Sequence, residues 1–233
     1  MIVTRFNPTT NGGLHLGHIY SLLINEHYAH DNNGKFYVRF DDTSAAIHAE
    51  MAHPEIAKEI LKRQREDIEW LGVKVDGWII QSEILEEVHE KMQPRYAILQ
   101  DKRPHYLPVS IRLGNSWTPY PYVPFETAER VIMDQMIGAT HLIRGEEFLT
   151  EYSMYRYFCE IFNFDYPKFI FLPRLQGKCG DISKTNGGYK ISELRGNGYS
   201  ASDVKDMLAW ACLNWWNNGW SLFNLKSNPK IDL

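Results

Sequence analysis

The tightest constraint on this chain is its opening: IVTRF at 2–6, the turn-rich NPTTNGG, and then Leu16, Ile19, Tyr20, Leu23 and His27 at helical spacing. A short bounded run of this kind reads as a buried strand. A strand that passes directly into a helix belongs to a sheet that helices cover. The pattern recurs. KFYVRF at 35–40 alternates as a second strand, and HPEIAKEILKRQREDIEWLG at 53–72 carries Ile56, Ile60, Ile68 and Leu71 on one helical stripe. WIIQ at 78–81, HLIR at 141–144 and FIFL at 169–172 are further short apolar runs with helical patterns between them. The expected fold class is therefore α/β, a doubly wound and mostly parallel sheet with helices on both faces.

Between Met92 and Pro124 the pattern breaks down into proline- and tyrosine-rich sequence, which predicts an irregular insertion. The expected organisation is a first half of the α/β domain over 1–90, a short insertion over 91–124, a second half over 125–190 and a helical extension over 191–233. The extension holds Trp210, Trp215, Trp216 and Trp220, expected to pack back onto the domain. A formal net charge of -4, with no block of like charges, gives no global attraction to nucleic acid, so DNA is not an expected partner and any RNA contact must be local. Cys159, Cys179 and Cys212 are widely spaced and odd in number, which argues against a disulfide framework and against a paired-cysteine zinc site. No basic leader followed by an apolar run opens the sequence and no membrane-length apolar stretch occurs, so the expected compartment is the cytoplasm.

Ligands of open parallel sheets bind beyond the carboxyl ends of the strands, and polar residues gather there. Arg5 closes the first strand, Asp41 and Asp42 the second; Gln81 and Ser82 follow the third, Arg144 with Glu146 and Glu147 the fourth, and Arg174 with GKCGDISKTNGG the fifth. Gly12 and Gly13 let backbone approach a ligand, and the free N–H groups of the helix that follows would attract an anion. His15 and His18 lie one turn apart and can present N–H donors to the oxygens of a triphosphate. Lys184 sits on a glycine-rich loop from which an ammonium could close over phosphates.

Together these segments resemble class I aminoacyl-tRNA synthetases of the glutamyl- and glutaminyl-tRNA synthetase group. TRFNPTTNGGLHLGH is similar to the TRFAPSPTGxLHxGH opening of that group, FYVRFDDT to its R-(I/F)-(E/D)-D-T strand, and WIIQSE to its Q-S-E/D segment. MIGATHLIRGEEFLT is similar to MGxTHxIRGxxHL, and DISKT stands where KMSKS falls. The resemblance implies a Rossmann-like catalytic domain that activates an amino acid with ATP and magnesium, forming an aminoacyl-adenylate and pyrophosphate. It implies His15, His18 and Lys184 as catalytic residues, with Thr9, Gly17, Glu147 and Ser183 completing the nucleotide site. It further implies that Arg5, Thr9 and Asp41 fix the amino acid and that Arg144 meets a side-chain carboxylate, which favours glutamate over glutamine.

The sequence departs from the group in three places. PFETAER puts Glu126 and Arg130 where an aromatic residue and an asparagine usually line the amino-acid pocket, and Asp181 replaces the first lysine of KMSKS. The insertion that grips the tRNA acceptor end is short, without the zinc-ligand cysteines of some relatives, and no anticodon-binding domain is expected. Glu126 offers an alternative partner for Arg144. The leading expectation is activation of glutamate or a close analogue, with a tRNA whose anticodon is not read as the candidate acceptor. The alternatives are an activating ligase with a small-molecule or carrier-protein acceptor, a catalytically silent relative that binds nucleotide, tRNA or a partner protein, and a nucleotidyltransferase acting on a cofactor precursor.

Overall fold

The computed structural model describes residues 1–43, 54–101, 110–113, 116–119, 125–177, 180–181 and 189–217, with side chains over 1–43, 55–94, 127–175 and 189–209. Its elements run β1 (Val3–Phe6), α1 (Leu16–Asp31), β2 (Lys35–Phe40), α2 (Pro54–Trp70), β3 (Gly77–Ile80), α3 (Gln81–Asp101), β4 (Ser110–Leu113) and β5 (Ser116–Pro119). They continue with α4 (Phe125–Met136), β6 (His141–Gly145), a 3-10 turn (Glu146–Glu151), α5 (Tyr152–Phe162), β7 (Lys168–Leu172), β8 (Gln176–Gly177), β9 (Gly180–Asp181), α6 (Ile191–Gly196) and α7 (Ala201–Asn217). The chain adopts the α/β class that its opening predicts. Parallel ladders join β1, β2 and β3, and a second parallel ladder joins β6 to β7.

β6 runs beside β1, and side chains tie the two ladders together. Thr140 Oγ1 accepts the Val3 N–H at 2.9 Å while the Thr140 N–H donates to the Val3 carbonyl at 3.0 Å. From α1, buried Asn25 donates to the Ile143 carbonyl at 2.9 Å, and its own carbonyl accepts from Thr4 Oγ1 at 2.7 Å.

Alternation along the strands assigns each face. Ile143, Ile170 and Leu172 enter the core beneath α1, α6 and α7, whereas Leu142, Phe169 and Phe171 enter the opposite core with α3, α4 and α5. Phe36, Val38 and Phe40 of β2 face the first core, so Arg39 faces the second; Arg5 shares its side. Both guanidiniums end on one buried carboxylate, Asp134 of α4. Arg5 binds it through Nε at 2.9 Å and Nη2 at 3.1 Å, Arg39 through Nη1 at 2.8 Å, and the Tyr155 hydroxyl of α5 at 3.0 Å.

Several expectations are corrected. His27 does not belong to the buried stripe of α1 but lies in solvent beside Glu26, and the helix instead buries Leu22, Ile24, Asn25 and Ala29 as well. Along 53–72, Ile68 of α2 and Leu71 just beyond it are buried but Ile56 is exposed, so only the C-terminal part of that stripe enters the buried core. The stretch after Met92 is more regular than its prolines suggest: α3 continues through Pro94 to Asp101, and β4 and β5 form an antiparallel hairpin. In α7, Val204 and Leu208 pack into the first core, while the side chains of Trp210, Trp215, Trp216 and Trp220 lie outside the described residues. No described helix is long and apolar enough to cross a membrane.

Asp134 gives the first testable consequence. Burial pushes its carboxyl upward, but Arg5 and Arg39 outweigh that and hold it at about 2, below the ordinary 3.8. Because the folded value is depressed, the carboxylate's stabilisation is complete above the ordinary value and is lost as pH falls through the folded one. Asp134→Asn should cost about 3–5 kcal/mol near neutral pH by leaving the buried Arg5 guanidinium without its carboxylate and Arg39 with Asp41 alone. Denaturant titrations should show the difference between parent and variant shrinking as pH falls from 3.8 toward about 2. A difference independent of pH would mean that packing, not charge, carries the effect.

Candidate active site

The carboxyl ends of the strands and the N-terminus of α1 enclose a cavity of about 510 Å³, large enough for a small substrate. Phe6, Tyr20, Ile143 and Leu172 give it apolar walls; Arg5, Thr9, His15, Gly17, His18, Asp41, Arg130, Arg144 and Glu147 all line it.

At the helix end, His15 is the N-cap of α1, and its Nδ1 accepts the Gly17 N–H at 3.1 Å. His18 Nδ1 accepts the His15 N–H at 3.4 Å, so the two imidazoles form a reciprocal capping box and stack with ring centroids 3.7 Å apart. A ring nitrogen that accepts carries no proton, so each neutral imidazole has its hydrogen on Nε2. This corrects the expectation that free backbone N–H groups make the anion seat. The Gly17 N–H is taken by His15, and the Leu16 N–H by the Tyr189 carbonyl at 3.2 Å. The cap itself sets the tautomer of both imidazoles.

The segment Tyr189 to Ile191 is joined to the same turn. His15 forms an antiparallel bridge with Lys190, and the Ile191 N–H donates to the Leu14 carbonyl at 2.9 Å. Ser183 and Lys184 lie outside the described residues.

At the sheet end the acids and bases are closely engaged. Asp41 is fully buried; Arg39 Nε donates to Oδ1 at 2.7 Å, while Asn7 at 2.9 Å and Arg39 Nη2 at 3.3 Å donate to Oδ2. A carboxylate has about four acceptor positions, and these bonds leave the fourth on Oδ1. Thr9 pairs with Asp41 in a parallel bridge, and its hydroxyl donates to Asn11 at 3.0 Å. Arg5 uses Nε and Nη2 on Asp134, so Nη1 is not part of that pair. Arg130 reaches toward Asp41 at 3.8 Å and Glu151 at 3.9 Å. Glu147 folds back across Gly145, where any Cβ would collide with its carboxylate.

Arg144 ends β6 with its guanidinium 3.8 Å above the Phe148 ring and Nη1 3.1 Å from Glu151 Oε2. Its Nε is buried with no hydrogen-bond partner among the described residues. Burial lowers its pKa to about 10, and the neighbouring Arg5 and Arg130 charges act in the same direction against Glu151. The described carboxylate on Arg144 is Glu151; Glu126 stands in the first turn of α4 with its side chain outside the described ones.

The sequence reading omitted Asp134, Glu151, Asn7 and Tyr155. Asp134 carries a signal, a lone acid in the apolar stretch VIMDQM, whereas Glu151 carries none.

This geometry coincides with a match to known proteins. Residues 1–94 and 103–213 match the family model of tRNA synthetases class I (E and Q), catalytic domain. The chain belongs to this family. Among relatives of this class I synthetase chain, the glutamate–tRNA ligase of Thermococcus kodakarensis is 28% identical over 265 residues, covering 84% of this chain and 44% of that protein. The glutamate–tRNA ligase of Methanococcus maripaludis is 24% identical over 258 residues, covering 84% of this chain and 45% of that protein. The synthetase chain thus spans less than half of either relative. Its fold superimposes on the crystal structure of a glutamate tRNA ligase from Elizabethkingia meningosepticum in complex with its amino acid, with a TM-score of 0.71 at 17% identity, over 99% of this chain and 67% of that one.

The capping geometry separates two functions of His15. Asparagine is a good N-cap, so His15→Asn should leave the unfolding free energy within about 0.5 kcal/mol of the parent, whereas His15→Ala should lose about 1 kcal/mol. Denaturant titration of the three chains checks this. Equal losses in both variants would remove the capping role.

Proposed function

We propose that this synthetase domain activates glutamate with ATP. A glutamate α-carboxylate oxygen bonds to the α-phosphorus as the bond from that phosphorus to the pyrophosphate oxygen breaks, giving glutamyl-adenylate and pyrophosphate. One observation carries the reading: a single cavity presents paired imidazoles at one end and a buried, incompletely hydrogen-bonded guanidinium at the other. The imidazole Nε2–H groups of His15 and His18 would donate to phosphate oxygens as charge moves onto the leaving group. Gly17 admits the adenosine without a side chain in the way, and Glu147 and Ser183 complete the nucleotide site. Lys184 would bring an ammonium to the pyrophosphate from its loop. Magnesium would enter with the triphosphate and neutralise its charge.

For the amino acid, Thr9 and the remaining acceptor position of Asp41 suit an ammonium group, while Arg5, Glu126 and Arg130 surround the backbone of the substrate. Arg144 pairs with the side-chain carboxylate, a bond that an uncharged amide cannot replace in kind. The acceptor in this reading is the 3′ end of a tRNA, approached over the 91–124 insertion, with 125–190 closing the catalytic domain and 191–233 extending it.

Amino-acid-dependent ATP–pyrophosphate exchange in site variants tests the assignments. Arg144→Gln should raise the KM for glutamate by one to two orders of magnitude, about 1.5–3 kcal/mol for a lost charged hydrogen bond, and affect glutamine less. An unchanged glutamate KM would remove Arg144 from the substrate site. Lys184→Ala should slow exchange about a hundredfold without loss of folding. Parent-like turnover would exclude that lysine from the mechanism.

A further inference from the structure

Arg144 is the group that the proposed reaction assigns to the substrate's side-chain carboxylate, yet a carboxylate of the protein already rests on it. Glu151 Oε2 lies 3.1 Å from Arg144 Nη1 and 3.9 Å from Arg130 Nη1, within the lining of the same cavity. The position of Glu151 makes this pairing notable. It stands at the N-cap of α5, where a side-chain oxygen commonly takes a helix N–H, but it makes no capping hydrogen bond. Its polar partners among the described residues are the two arginines.

The pair is also unequal in how firmly its members are held. Arg144 is fixed at the end of a laddered strand, stacked on Phe148, with its side chain 11% exposed. Glu151 closes a 3-10 turn with no buried residue in it, and its side chain is 29% exposed. A carboxylate anchored in this way can rotate into water at little cost, while the guanidinium stays in place. The contact itself is a single hydrogen bond, not the bidentate arrangement that gives arginine–carboxylate pairs their strength. Arg144 Nε, buried and without a partner among the described residues, remains available to a better-placed carboxylate.

The geometry points to Glu151 as a specificity-determining residue: its carboxylate occupies the place on Arg144 that the substrate's side-chain carboxylate takes, and it gives way when that substrate binds. The inference rests on the assignment of Arg144 as the carboxylate-binding group in glutamate activation. Glu151 keeps the buried cation neutralised in the empty site. It also raises the glutamate concentration needed to fill that site, because only the fraction of molecules with Glu151 turned away can bind. If Glu151 holds Arg144 about nine-tenths of the time, the apparent affinity is lowered about tenfold.

The test compares the parent with Glu151→Gln and Glu151→Asp in glutamate-dependent ATP–pyrophosphate exchange, each first shown to unfold at the parent's denaturant midpoint within error. Glutamine at this position keeps an oxygen for Arg144 but removes the charge; aspartate keeps the charge on a shorter arm. The expected result for Glu151→Gln is a glutamate KM about five- to tenfold lower, with kcat and the KM for ATP within about twofold of the parent. Glu151→Asp should fall between the two. An equal or higher glutamate KM in Glu151→Gln, in a parent that activates glutamate, overturns the proposal and makes Glu151 a positioning residue for Arg144, while glutamate activation stands. Exchange with some other amino acid, and with glutamate in none of the chains, overturns the glutamate reading and the role of Glu151 with it.

Discussion

Asp134 is the interaction on which the sheet and the site both depend. Its carboxylate is buried in α4 and gathers Arg5 from β1, Arg39 from β2 and the Tyr155 hydroxyl from α5, so one charge fixes the spacing of two strands and two helices. Burying one carboxylate against two guanidiniums is tolerable only because Asp41 supplies a second negative charge to Arg39. Asp41 is in turn held by Asn7, in the loop that leads from β1 to the histidine turn. The same network that closes the core therefore sets the floor of the cavity. Arg130 lies one helical turn before Asp134, and its guanidinium reaches the cavity side of the same cluster.

The opposite end of the cavity is built by a local device. Histidine caps α1 through Nδ1 in both directions of a capping box, and the cap determines which nitrogen carries the proton. Helix initiation and donor orientation are thus one feature. Leu14, His15 and Leu16 then pair with Tyr189, Lys190 and Ile191, which joins the start of α6 to the turn that presents the imidazoles.

How much of this could be read from the sequence follows from the range of the interactions involved. β2 spans Lys35–Phe40, as its alternation indicates, because Phe36, Val38 and Phe40 all enter one core. The strand-turn-helix opening was equally legible, since periodicity and turn chemistry are local. The 92–101 segment was not: Pro94 lowers helix propensity, and packing of Val88 and Met92 against α4 and α5 outweighs it. Arg5 and Asp41 were visible as polar residues at strand ends, but Arg5 is engaged by Asp134, 129 positions away, which also binds the Arg39 that holds Asp41. Glu151 was invisible although Arg144 is only seven positions away, because nothing in the sequence between them distinguishes an acid facing Arg144 from an acid facing water.

In the proposed function one cavity holds an ATP triphosphate on the histidines and the side-chain carboxylate of glutamate on Arg144. The most direct measurement is ATP–pyrophosphate exchange by the parent chain across all twenty amino acids, with and without total tRNA. The expected result is exchange that requires glutamate, with glutamine and aspartate far weaker. Exchange driven by a neutral or basic amino acid, with none from glutamate, would contradict it.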